Sequence, residues 1–239
     1  LRLLITGGCG FIGSHCINHA LLRSDIRRVV NLDALTYSGH IENNPSSSDD
    51  KFRFIHGSIN DELLLKKIFD EEDIDVVIHL AAESHVDRSI QTVEPFIQTN
   101  IDGTRSILEA IRNRFVDDGK VVHLVHISTD EVYGSLAPSD PPFVEDTPLD
   151  PRNPYAVSKA ASDMLVRSFV NTHGISGVIT RCSNNYGPRQ FPEKLIPLMV
   201  LRALNNESLP VYGDGKQVRD WIHVSDHVSG VFSAMDGLV

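Results

Sequence analysis

Six short runs rich in Val and Ile recur along the chain: "LRLLIT", "RRVVNLD", "KFRFIH", "DVVIHLAA", "VVHLVHIS" and "GVIT". Helical patterns lie between them, at roughly residues 11–24, 60–71, 88–115 and 154–173. Near-continuous apolar runs are strands buried on both faces, and their alternation with helices predicts a parallel sheet covered on both sides. Right-handed crossovers then wind the chain into an α/β doubly wound sheet. Two stretches break the rhythm. "ENNPSSSDD" (42–50) is a polar surface loop, and the proline-rich "SLAPSDPPFVEDTPLDPRNP" (135–154) is too long for a simple connector. Past residue 183 the alternation fades into one helix, short strand patterns at "LPVYG" and "VRDWIHV", and a last helix. Residues 1–182 are expected to form a nucleotide-binding domain, and 183–239 the start of a smaller C-terminal lobe. There are no internal repeats.

Composition narrows the function classes. The chain has 239 residues, 41% hydrophobic, with a net charge of -10. That charge and the lack of a basic face argue against nucleic acid. No apolar stretch reaches the roughly 18–20 residues of a membrane span, and the opening residues do not read as a signal peptide. Cys9, Cys16 and Cys182 are an odd set without a C-x-x-C pair, which fits a reducing compartment, the cytoplasm. His123 and His126 are three apart on one strand, so they point to opposite faces and no metal site is expected.

"TGGCGFIGS" spaces Gly7, Gly10 and Gly13 evenly between the first strand and the first helix. Glycines there permit a tight turn and close approach of backbone to a pyrophosphate, which the helix N-terminus faces. The second strand ends in Asp33, a carboxylate that accepts from a ribose diol and repels a 2'-phosphate. NAD is favoured over NADP, and the sheet reads as Rossmann-like. Ala81 and Ala82 are small enough to line the other side of the cofactor. Asn100 lies in the long helix 88–115, from which a polar side chain reaches a strand end.

Tyr155 and Lys159 form Y-x-x-x-K on one helix face. A free tyrosine titrates at about 10, and a neighbouring ammonium together with the nicotinamide charge is expected to favour its phenolate. Thr129 ends the fifth strand, and the adjacent Asp130 and Glu131 follow it. Neighbouring strand residues face opposite ways, so both acids reach one ligand only if the strand stops and the backbone turns, as Gly134 implies.

The motifs "TGGCGFIGSH", "AAESHVDRSI", "STDEVYG", "NPYAVSKAASD", "RCSNNYGPRQFPEKLIP" and "GDGKQVRDWIHVSDH" span essentially the whole chain. They resemble the extended short-chain dehydrogenase/reductases that act on nucleotide sugars, and within them the 4,6-dehydratases of dTDP-glucose. The resemblance implies NAD contacts at Gly7, Gly10, Phe11, Ile12, Gly13, Asp33, Ser58, Ile59, Leu80, Ala81, Ala82, Asn100, Tyr155 and Lys159. It implies catalysis by Thr129, Asp130, Glu131, Tyr155 and Lys159. Substrate contacts are implied at Ser84, His85, Asp87, Asn184, Lys194 and Arg219, the two cations being diphosphate partners. The implied reaction is C4 oxidation, loss of water across C5 and C6, and hydride return to C6 in a homodimer built through helices 88–115 and 154–173. Epimerases and decarboxylases of the family usually lack one or both acids after the Thr. They stay as alternatives, as does a non-catalytic nucleotide-binding relative. The sequence departs from the family's usual residues at Cys9 and Ser58. The family normally runs about a hundred residues further, so the chain reads as truncated.

Overall fold

The computed structural model describes residues 1–44, 49–137, 139–211 and 213–239. The first half contains β1 (Arg2–Thr6), α1 (Phe11–Leu22), β2 (Arg28–Asp33), β3 (Phe52–His56), α2 (Glu62–Glu72), β4 (Val76–His79), α3 (Val86–Gln91), α4 (Glu94–Phe96) and α5 (Gly103–Asp118). There follow β5 (His123–Thr129), α6 (Pro154–His173), β6 (Gly177–Cys182), β7 (Asn184–Tyr186), α7 (Leu195–Leu204), β8 (Trp221–His223) and α8 (Val224–Asp236). The six expected strands are all present. They pair in the order β3-β2-β1-β4-β5-β6, every neighbour parallel.

Side chains on β1 show why both faces are apolar. Leu3 and Ile5 point into one core with Cys16 and Ile17 of α1, whereas Leu4 enters the other with Ile107 and Leu108 of α5 and Val166 of α6. The period of two delivers alternate residues to opposite faces, and a helical layer covers each. β1 and β4 diverge at the middle of the sheet, the topological switch point where open α/β sheets bind ligands.

The expected helix 88–115 is corrected. The chain forms α3, then an extended Thr92, then α4 with Pro95 in its first turn, then a π-helical segment over Ile97–Asp102, then α5. Pro95 lacks the N–H that would continue α3, yet its fixed φ suits the start of a new helix.

The division at residue 183 is also corrected in part. β7 and β8 pair apart from the main sheet. α8 instead buries Val224, Val228, Val231, Phe232 and Met235 in the same core as Leu3 and Cys16. Its apolar face completes the layer that α1 begins, so it belongs to the first unit. No strand forms at residues 209–211, and Tyr212 of "LPVYG" lies outside the described residues, as do 45–48 of the polar loop and 138 of the proline-rich one. Among the described residues no helix is long and apolar enough to cross a membrane.

Candidate active site

A cleft of about 550 Å³ opens at the C-terminal ends of the strands. At one end the glycine turn is built without room for side chains. Gly7 has a φ of +73°, and a Cβ there would meet backbone atoms of Ala81 at 2.8 Å. A Cβ on Gly13 would meet the Gly7 carbonyl at 2.2 Å. Gly10 caps α1 with no side-chain hydrogen bond, and no acidic residue occupies the first helical turn. That leaves the positive end of the helix to an anion. Asp33 lines the cleft, with Oδ2 accepting from Cys9 N (2.8 Å) and Oδ1 from Leu35 N (2.8 Å). Each oxygen keeps a lone pair for a further donor. Asn31, which the sequence reading did not single out, holds the turn from beneath by accepting from Gly8 N at 3.0 Å. These residues fit a dinucleotide: a backbone cradle that a Cβ would fill, a bare helix terminus and a carboxylate at the second strand end.

Along the cleft, Phe11, Ile12, Ser58, Ile59, Leu80, Ala81 and Ala82 all contribute to the lining, with Ser84 beyond them. Asn100 does not. Its Oδ1 accepts from Glu83 N (2.9 Å), and Nδ2 donates to Glu83 O (3.0 Å) and Ser158 Oγ (2.8 Å). The π-helical segment turns it inward, and every amide group is spent joining the β4–α3 connection to α6. Asn100, expected from the resemblance to touch the cofactor, thus acts here as an internal bracket beneath the cleft.

At the other end β5 stops at Thr129 and a single 3-10 turn, Asp130–Tyr133, follows. Thr129 Oγ1 accepts from Glu131 N (3.2 Å) and donates to Asp130 Oδ1 (3.3 Å). Gly134 then takes a φ of +90°, where a Cβ would strike the Asp150 carbonyl at 2.5 Å. This turn brings Asp130 and Glu131 together on the cleft wall beside Tyr155 and Lys159. Burial, and then the Glu131 charge, hold the Asp130 carboxyl above its usual range, against the Thr129 hydrogen bond. Asn153 Nδ2 donates to Glu131 Oε2 at 3.0 Å. This contact was missed from sequence, although an Asn before a helix-opening Pro is a legible cap signal.

Burial, followed by the Glu131 charge, pushes the Tyr155 phenol up, and only the Thr129 hydroxyl pulls it down. Lys159 Nζ donates to Ile127 O at 2.8 Å, and burial brings that ammonium down to about 8.

On the substrate side Asn184 and Lys194 reach the cleft. Lys194 Nζ donates to Ser84 O (3.0 Å), and burial lowers its ammonium. Three other expected contacts stand outside the cleft lining. His85 caps α3, accepting from Arg88 N, and its Nε2 lies 3.5 Å from Glu193. Asp87 is exposed on α3, and Arg219 is exposed and donates to Val218 O. None of the three lines the cleft, because helix capping and the turn before β8 direct them elsewhere. Glu193, Cys182 and Trp221 line it unforeseen. Glu193 gathers Tyr37, His85 and Arg88 around one carboxylate, a convergence of three segments with no local motif.

The family model described as GDP-mannose 4,6 dehydratase matches residues 4–237. The dTDP-glucose 4,6-dehydratase of Neisseria meningitidis is 47% identical across all of this chain and 68% of its own length. The chain belongs to the nucleotide-sugar 4,6-dehydratase family. A second member, from Xanthomonas campestris, is 50% identical over 95% of the chain and 66% of its own length. The crystal structure of the dTDP-glucose 4,6-dehydratase DesIV from Streptomyces venezuelae, with NAD and dTDP bound, superposes with a TM-score of 0.89 at 46% identity. It covers 97% of this chain and 70% of DesIV. The chain thus spans about two thirds of the length of its relatives.

Proposed function

We propose that the protein is an NAD-dependent hydro-lyase that converts dTDP-glucose to its 4-keto-6-deoxy sugar. The carrying observation is the pair Asp130 and Glu131, folded by one 3-10 turn onto the same cleft wall as Tyr155. The DesIV relative, with NAD and dTDP bound, supports the cofactor and the base.

NAD would be held by the glycine turn, the N-terminus of α1 and Asp33, and it supplies the site for a hydride taken from the sugar and later returned. Tyr155 would accept the proton of the C4 hydroxyl as its phenolate, the positive charge that NAD would bring and the Lys159 ammonium offsetting the burial that pushes the phenol up, with Thr129 hydrogen-bonding the same oxygen. The resulting ketone acidifies C5, and Glu131 removes that proton. Asp130, kept above its usual range by burial, gives a proton to the C6 hydroxyl, which leaves as water, and the proton held by Glu131 goes back to C5 as the hydride is returned to C6. Two carboxylates are needed because one must begin ionised and the other protonated. Lys194 supplies charge for the diphosphate and Asn184 a polar contact. Asn184, Phe191, Glu193, Lys194 and Trp221 line the substrate side of the cleft.

Two further features extend the reading. Exposed apolar residues on α5 (Phe115, Val116) and α6 (Val157, Met164) are the faces for a homodimer. Three free cysteines fit the reducing cytoplasm.

The test is a product assay with dTDP-glucose and with UDP-glucose, reading the 4-keto-6-deoxy sugar. Product from dTDP-glucose, lost in Glu131→Gln, is expected. Bound NAD with no product from either sugar would sink the dehydratase reading in favour of a binder.

A further inference from the structure

One side chain joins the two halves of the catalytic centre. Asn153 is the N-cap of α6, the helix that carries Tyr155 and Lys159. Its Oδ1 accepts from Ala156 N at 2.8 Å, while its Nδ2 donates to Glu131 Oε2 at 3.0 Å. The amide has no freedom to turn over. The oxygen must face the helix N–H, so the nitrogen must face the carboxylate. Pro154, which follows, leaves the first helical position without an N–H to compete for the cap.

We propose that Asn153 is a positioning residue that holds the Glu131 side chain where it removes the C5 proton. The inference rests on the dehydratase reading. A donor aimed at a carboxylate stabilises its charged form. The neighbouring Asp130 has no such donor from an amide; its Oδ1 takes the Thr129 hydroxyl instead. Each acid thus accepts one side-chain hydrogen bond, but only that of Glu131 comes from the amide that also caps the helix of Tyr155. The other charged and titratable groups facing Glu131 are Asp130 from the same turn, Tyr155 from α6, and Lys194 from the segment before α7. Because the same amide caps α6, base and phenol keep one fixed relation as the helix moves.

The test separates capping from positioning. Asn153→Asp is isosteric and caps as well as asparagine, but it turns the donor into a second carboxylate. Asn153→Ser also keeps a cap, and its hydroxyl is too short to span to Glu131. Both variants should retain the wild-type melting temperature and NAD content. The kcat should fall about tenfold or more in Asn153→Asp and less in Asn153→Ser, with KM little changed. The acid limb of the kcat profile should move up by about one pH unit in Asn153→Asp. Reduced nicotinamide should accumulate during turnover, since oxidation at C4 uses Tyr155 and elimination uses Glu131. Wild-type rates and an unmoved acid limb in both variants would overturn the proposal. A second readout needs no turnover: the carbon NMR shift of the Glu131 carboxyl at one fixed pH, assigned with Glu131→Gln. It should move in both variants as the Asn153 hydrogen bond is lost, and an unchanged shift would overturn the proposal. Failure of the wild type to make keto sugar would count against the dehydratase reading, and the NMR shift would still decide the role of Asn153.

Discussion

Lys159 Nζ donates to the carbonyl of Ile127, 2.8 Å away, from a side chain that is 4% exposed. Burial lowers its ammonium from 10.5 to about 8. Between those values the unfolded chain binds more protons than the folded one, so stability rises with pH across that window. At neutral pH the charged lysine therefore costs the fold about 3 kcal/mol. Lys159→Met should stop turnover yet raise unfolding free energy at pH 7 by about 1–2 kcal/mol, after allowing for the orphaned Ile127 carbonyl. Urea unfolding measures this, and the gain should shrink as pH approaches 10. A variant less stable at neutral pH would contradict it.

The two acids predict different failures. Glu131→Gln should slow product formation by about 10²- to 10⁴-fold while leaving oxidation of the sugar intact. Stopped-flow absorbance should show reduced nicotinamide building up. Asp130 must be protonated to act, and its carboxyl is held above the usual range. Its contribution should fade as pH rises through that raised value, and Asp130→Asn should remove this limb from the rate profile.

Asp33 Oδ2 anchors Cys9 N in the glycine turn. Asp33→Ala removes both that anchor and the ribose acceptor. A charged hydrogen bond is worth roughly 1.5–3 kcal/mol, so NAD affinity should fall about 10- to 100-fold, with discrimination against NADP narrowing. Trp221, the sole tryptophan, lines the cleft, and its fluorescence reports the titration. Unchanged affinity would place the ribose elsewhere.

Asp163 is completely buried, with Arg181 Nε 2.9 Å from its Oδ2 and His126 Nε2 3.4 Å from Oδ1. Arg181 also donates to Tyr133 OH at 2.8 Å, joining α6, β6 and the turn after Thr129. Arg181→Met strands a buried carboxylate and should cost about 3–5 kcal/mol in chemical denaturation. Adding Asp163→Leu should recover most of that loss. If it does not, the packing of Arg181 matters more than its charge.

Burial drives the neighbouring His126 down from 6.5 to about 4. In that interval the unfolded chain binds the extra proton, so stability should decline as pH falls from 6.5 toward 4. His126→Gln should flatten the decline in urea midpoints measured over that range.

Much of this protein could be read in one dimension. Strand positions, sheet class, the glycine turn, Asp33 and the motif from Thr129 to Lys159 depend on local rules: a period of two, a helical repeat, a backbone that only glycine can follow. Such rules act between residues close in sequence, and they survive without knowing the fold. What could not be read were places where distant segments meet at one side chain. The Asn100 amide joins Glu83 and Ser158, partners that no local pattern shows. The burial of the Tyr155 phenol, and the Glu131 charge twenty-four residues away, leave no mark in the Y-x-x-x-K motif itself. α8 joined the first domain because its apolar face completes the layer over β1. Desolvation and long-range hydrogen bonding exist only once the chain has closed on itself, so only the tertiary structure could decide them.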